Sequence, residues 1–205
     1  STLSPSSAAS DVYKRQAMQA LEEKLDRLQK GDILILAGSI PASLAQTTYE
    51  RILARLEGRD IRAVVDATRD LLVNVLRYKP FLIKPNNHEL SEIAGVKLTN
   101  DNEIVTAARM MQAKGARNVL VSMAGDGALL LDEQGGVHRI GCPKGKVVNS
   151  VGAGDSMVAG FVAGYQQSGG DYAAALKLGT ACGSATAFSL GLATKADIDK
   201  LLKTM

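Results

Sequence analysis

The chain has 205 residues, 46% of them hydrophobic and 22% charged, with a net charge of +3, which suits one globular domain with its own core. That small charge removes the electrostatic case for a nucleic-acid or anionic-membrane partner, and an aromatic content of 4% without Trp argues against a base-stacking surface. No apolar run reaches bilayer length, and Cys142 and Cys182, with His88 and His138, form no metal-ligand spacing, as expected of free thiols in a reducing cytosol.

In chain order, Ser1 to Gln16 (STLSPSSAASDVYKRQ) is rich in Ser and Ala and has no apolar periodicity. It is expected to be a disordered or non-native leader, with the domain running over 17–205. Leu21, Leu25 and Leu28 are spaced for one helix face, ending before Gly31. Ile33 to Ala37 is a continuous apolar run, the pattern of a strand buried on both faces. The pattern then predicts a helix over Leu44 to Leu56, a strand over Ala63 to Asp66, a helix over Asp70 to Tyr78 and a strand over Phe81 to Ile83. Helices over Asn86 to Ala94 and Ile104 to Lys114 precede a strand over Asn118 to Ser122. Gly127 to Leu131 and Val137 to Ile140 read as a hairpin. Helices follow over Ala153 to Gln167, Tyr172 to Ser189 and onward from Lys195. Strand–helix alternation predicts an α/β fold, a mostly parallel sheet between two helical layers.

Ligands of such sheets bind at the carboxyl ends of the strands. Gly38-Ser39, Asp66, Lys84-Pro85-Asn86 and Ser122 to Gly127 fall there. The sharpest local signal is Asn149 to Asp155, leading into the helix SMVAGFVAGY. Gly152, Ala153 and Gly154 let a ligand approach the free N–H groups of a first helical turn, an anion hole, and Asp155 stands where it can accept the proton of an attacking hydroxyl. The same residues also suit a tight turn followed by an acid that complements the helix dipole, and the spacing does not choose. Asn86 and Glu89 fit Mg²⁺ held through water, but from these residues alone helix capping is the favoured reading. Dinucleotide and Walker A glycine patterns are absent: Met157 replaces the third glycine of the first, and Val147 follows Gly145-Lys146 in the second.

Together, NSVGAGDSMVAGFV, KPNNHEL with its N-x-x-E spacing and SMAGDGALL as an S-x-G-x-x-G loop resemble the PfkB (ribokinase-like) family of carbohydrate kinases, from about Leu21 to the end. Within it, ILILAGSIP, VVDATRDLL and KGKVVNSVGAGDSMVAGF are most similar to the 1-phosphofructokinases. The resemblance implies a three-layer ribokinase-like fold, cytoplasmic, using ATP and Mg²⁺ to phosphorylate the 6-hydroxyl of fructose 1-phosphate; tagatose-6-phosphate kinase is the neighbouring alternative. It implies Asp155 as base and sugar contact, Gly152, Ala153 and Gly154 as anion hole, and Ser122, Met123, Ala124, Gly125, Asp126 and Gly127 along ATP. Asn86 and Glu89 would organise Mg²⁺, and Lys84 would either neutralise phosphate or serve the fold. The family's Gly-Gly-Lys-Gly-type sugar loop and β lid, which forms a homodimer interface in several members, have no counterpart here. The chain is therefore expected to be the C-terminal part of such a kinase, with weak or no activity as it stands; a non-catalytic nucleotide-binding fragment is the alternative.

Overall fold

The computed structural model describes residues 5–205. Helix α1 (Pro5–Asp26) begins inside the segment set aside as a leader, with Pro5 at the first helical position, where a missing N–H costs nothing. The first four residues of that expected leader lie outside the described residues. The end of α1 is tied down: Arg55 donates Nε and Nη2 to the Asp26 carboxylate, and Arg59 donates to the carbonyls of Leu25, Asp26 and Leu28.

Six strands form one sheet in sequence order: β1 (Ile33–Ala37), β2 (Arg62–Asp66), β3 (Leu82–Ile83), β4 (Asn118–Ser122), β5 (Ala128–Leu131) and β6 (Val137–Ile140). The first four are parallel, while β5 and β6 return antiparallel as the predicted hairpin. Because β1 to β4 step across the sheet in one direction, crossovers of one hand place their helices on one face. Those helices are α2 (Thr48–Leu56), α3 (Arg69–Val75), α4 (Asn87–Ala94) and α5 (Asp101–Ala113). They bury Leu53, Leu72, Leu90 and Met111 against Leu36, Val65, Ile83 and Val121. The opposite face, carrying Val64, Leu82, Leu120 and Leu130, is covered by α6 (Ala153–Gln167) and α7 (Tyr172–Ala187), chiefly through Phe161, Val158 and Leu176. Helix α8 (Lys195–Leu202) packs on α7.

Small residues bring α6 and α7 together. A methyl on Gly160 would lie 2.6 Å from Cys182 Sγ, and one on Gly183 3.0 Å from the Ala153 carbonyl. The second contact fixes the first turn of α6. Some boundaries differ from expectation. Helix α2 starts at Thr48, not Leu44, because the Leu44 N–H closes a turn onto the Pro41 carbonyl. Helix α3 gives way to a 3₁₀ turn over Leu76–Tyr78, and α5 starts at Asp101 behind its Asn100 cap.

Between β5 and β6, the Asp132 side chain organises the turn. Its Oδ1 accepts N–H bonds from Gln134 and Gly136, both 2.8 Å, and its Oδ2 lies 2.7 Å from His138 Nε2. Burial pushes the carboxyl up, but the His138 bond and the two N–H donors outweigh it and hold Asp132 below its ordinary value. A depressed pKa stabilises the fold above the unfolded value, and that contribution disappears as pH falls through the folded one. Asp132→Asn should therefore be less stable at pH 7 by about 2 kcal/mol and lose less of its thermal midpoint between about pH 5 and 3. Identical acid limbs for the two proteins would refute this role.

Candidate active site

The parallel strands end together, and their last residues build the site. Register pairs Val65 with Ile83, so Asp66 and Lys84 follow side by side on adjacent strands. They form an ion pair, Lys84 Nζ to Asp66 Oδ1 at 3.2 Å, with side chains only 7% and 18% exposed. The first turn of α6 lies on this pair. A methyl on Gly154 would sit 3.2 Å from Lys84 Nζ and 3.9 Å from Asp66 Oδ2. Gly152, the N-cap, has φ +79°, a conformation that glycine adopts without strain. Ala153 is the first helical residue, and Asp155 stands in the first turn with an exposed side chain. Among the described residues no hydrogen bond holds the Asp155 carboxylate.

Electrostatics confirm the convergence. Burial raises the Asp66 pKa above its ordinary value; Lys84 opposes this, while the charges of Asp155 and Glu89 reinforce it. The charges of carboxylates on α4 and α6 thus act on the carboxylate that ends β2. The neighbourhood holds a proton acceptor, a cation and the N–H groups of Gly152 and Gly154, while the Ala153 N–H donates to the Ser150 carbonyl at 3.2 Å.

Asn86 and Glu89 form a full capping box. Asn86 Oδ1 accepts the Glu89 N–H at 2.9 Å, and Glu89 Oε2 accepts the Asn86 N–H at 2.8 Å. Capping thus occupies one oxygen of each side chain. Among the described residues no three His, Cys, Asp or Glu side chains are grouped to hold a metal directly. The carboxylates of Asp66, Glu89 and Asp155 are hard oxygen donors whose charges are felt at one place, a chemistry that suits Mg²⁺ keeping its waters.

The Ser122–Gly127 loop reaches the same place. Ser122 bridges to Asn86 and donates its N–H to the Pro85 carbonyl. Met123 is buried beneath the loop, Ala124, Gly125 and Asp126 form an exposed 3₁₀ turn, and Gly127 packs on the backbone of Ile140 and Gly141. The loop departs from S-x-G-x-x-G at its third position, which is Ala124 rather than glycine. Ala124 has φ +48°, left-handed backbone that a Cβ disfavours. Ala124→Gly should raise unfolding stability by about 1 kcal/mol, read by urea denaturation; a loss of stability would place the strain elsewhere.

The structure thus brings Lys84, Glu89, Gly154 and Asp155 into one neighbourhood, with Asn86 joining them to the Ser122–Gly127 loop. The residue that sequence reasoning left without a role is Asp66. Its signal was its position at the end of a buried parallel strand. No described helix is long and apolar enough to cross a membrane.

Comparison with known proteins agrees with this geometry. The model of the pfkB family carbohydrate kinases matches residues 2–199. The 1-phosphofructokinase of Bacillus subtilis (strain 168) is 46% identical over 184 residues, 90% of this chain and 60% of that protein. The D-tagatose-1-phosphate kinase of Bacillus licheniformis is 36% identical over 187 residues, 91% of this chain and 60% of that protein. A crystal structure of phosphofructokinase-2 from Escherichia coli in complex with substrates and products superimposes with a TM-score of 0.83 at 28% identity, covering 91% of this chain and 61% of that one. The chain therefore spans about three fifths of the length of the curated relatives it matches. Ribokinase of Arabidopsis thaliana, at 20% identity and a TM-score of 0.71, shares the fold. A three-layer ribokinase-like architecture and a family match over nearly the whole sequence lead to one assignment: the chain belongs to the pfkB family of carbohydrate kinases.

Proposed function

We propose that this chain carries the nucleotide and phosphoryl-transfer portion of a cytosolic kinase that moves the γ-phosphoryl group of ATP to the 6-hydroxyl of fructose 1-phosphate. The observation that carries the reading is the exposed Asp155 carboxylate in the first turn of α6, the turn whose Gly154 lies against the Lys84 ammonium. The bond from sugar O6 to Pγ forms as the bond from Pγ to the β-phosphate bridging oxygen breaks, and the hydroxyl proton passes to Asp155. Backbone N–H groups at Gly152 and Gly154 stabilise the charge gathering on the equatorial oxygens, and the Ala153 N–H, which donates to the Ser150 carbonyl at 3.2 Å, joins them only by giving up that bond. Lys84 supplies a fixed positive charge, held in place by Asp66. Glu89, with Asn86 and Asp66 around it, would hold Mg²⁺ through water, and that ion neutralises polyphosphate charge when bound. Ser122 to Gly127 line the nucleotide side.

The acceptor rests on the relatives' names, among them several 1-phosphofructokinases. A second reading, tagatose 1-phosphate as acceptor, is favoured by the name of one relative and replaces the 6-phosphate of tagatose that the resemblance suggested. The test is transfer from ATP to each ketose phosphate, followed by ³¹P NMR. It uses the chain itself and the chain joined to the two fifths of the Bacillus subtilis relative outside the match. Formation of fructose 1,6-bisphosphate supports the proposal. ATP binding without transfer to any acceptor in either protein would leave a nucleotide-binding module in its place.

A further inference from the structure

Asp66 ends β2, and three residues later Arg69 opens α3 with φ +50°, left-handed backbone that is unusual for a long side chain. Its side chain is 78% exposed, and its ion-pair partner is Glu92 Oε2 at 3.4 Å, itself 58% exposed. An exposed pair of this kind contributes little, so it does not offset the strain of the backbone that presents it. Strain that no contact repays is characteristic of functional positions. Ala124 shares this backbone conformation and lies in the corresponding loop after β4, at the same crevice.

Location supplies the second argument. Glu92 is three residues beyond Glu89 in α4, so the two carboxylates lie on one helix face. Arg69 is therefore anchored one turn from the acidic side of the site, where Asp66, Glu89 and Asp155 converge. Lys84 neutralises Asp66 inside the crevice, which leaves the site rich in negative charge for a ligand that is itself an anion. A guanidinium at the rim, held only by a solvent-screened carboxylate, is free to exchange that partner for a phosphate, whose oxygens it matches in a planar fork.

We propose that Arg69 is a phosphate-binding residue at the mouth of the site, leaving Glu92 to clasp a phosphate group of the incoming ligand. This rests on the kinase reading, and the ligand is either ATP or the sugar phosphate. The experiment is calorimetric titration of ATP, and separately of fructose 1-phosphate, into the wild-type chain, Arg69→Gly and Arg69→Gln, with thermal unfolding of each protein. Arg69→Gly suits the left-handed backbone, so its unfolding midpoint should be unchanged or higher while affinity for one ligand falls at least tenfold. Arg69→Gln keeps a polar side chain on the same backbone, shorter and without the guanidinium charge, and should show the same loss. Salt dependence of binding should flatten in both. The ligand whose affinity falls identifies the phosphate. Wild-type affinity retained in both variants overturns the proposal and leaves the kinase reading standing. Failure of the wild-type chain to bind either ligand overturns both.

Discussion

Replacing Asp155 with Asn should lower the rate of phosphoryl transfer about a thousandfold while leaving ATP affinity within about threefold. The carboxylate is exposed and makes no hydrogen bond among the described residues, so its removal leaves no buried group unpaired. Asn keeps the shape and loses only the proton acceptor. The competing role, complementing the dipole of α6, predicts a different result: a stability loss of about 0.5 kcal/mol and an unchanged rate. Measuring kcat and the unfolding midpoint of Asp155→Asn in the chimera with the Bacillus subtilis relative separates the two. An unchanged rate would remove Asp155 from the chemistry.

Replacing Lys84 with Met should produce the largest loss of stability at the site, about 3 kcal/mol, or roughly 10 °C in midpoint for a chain of this size. The reason is the carboxylate left behind. Asp66 is 18% exposed and already faces the charges of Asp155 and Glu89, with Lys84 as its counter-ion. Without the ammonium, burial raises the Asp66 pKa further above its unfolded value. A raised carboxyl pKa means that the folded protein binds the proton more tightly. The penalty is then absent below the unfolded value and grows as pH rises through the folded one. Lys84→Met should accordingly lie nearest to wild type at about pH 4 and furthest from it above neutrality. The double variant Lys84→Met/Asp66→Asn, which buries no charge, should recover most of the stability without recovering ATP affinity. Recovery of both would make the pair purely structural; equal destabilisation at every pH would show that Asp66 is not the source.

Both variants act on a site only half legible in the amino-acid sequence. Stretches whose structure is settled within a few residues could be read directly. AVVD and NVLVS announce strands buried on both faces, because continuous apolar runs have no solvent side. ILILA announces a strand as well, but the expectation of two buried faces fails there: β1 is at the sheet edge and Ile35 is 42% exposed. Asn86 with Glu89 announces a helix start, since the capping box closes over three residues, and the structure contains it. The turn Gly152–Ala153–Gly154 before Asp155 was legible for the same reason: its function depends on backbone that the adjacent residues themselves shape.

What the sequence determined by itself was therefore the inventory: the α/β alternation, the capped helix start at Asn86 and the glycine turn before α6, each set by local sterics, periodicity and capping. Tertiary structure decided the rest. The Asp66–Lys84 pair depends on β2 and β3 being neighbours in parallel register, and the seventeen intervening positions carry no local signal of that pairing. The left-handed backbone at Arg69 and Ala124 belongs to residue types that rarely adopt it, so only packing around the strand ends can impose it. Local forces choose helix and strand residue by residue. Which charges meet depends on the order, register and covering of the sheet, and those are properties of the assembled core.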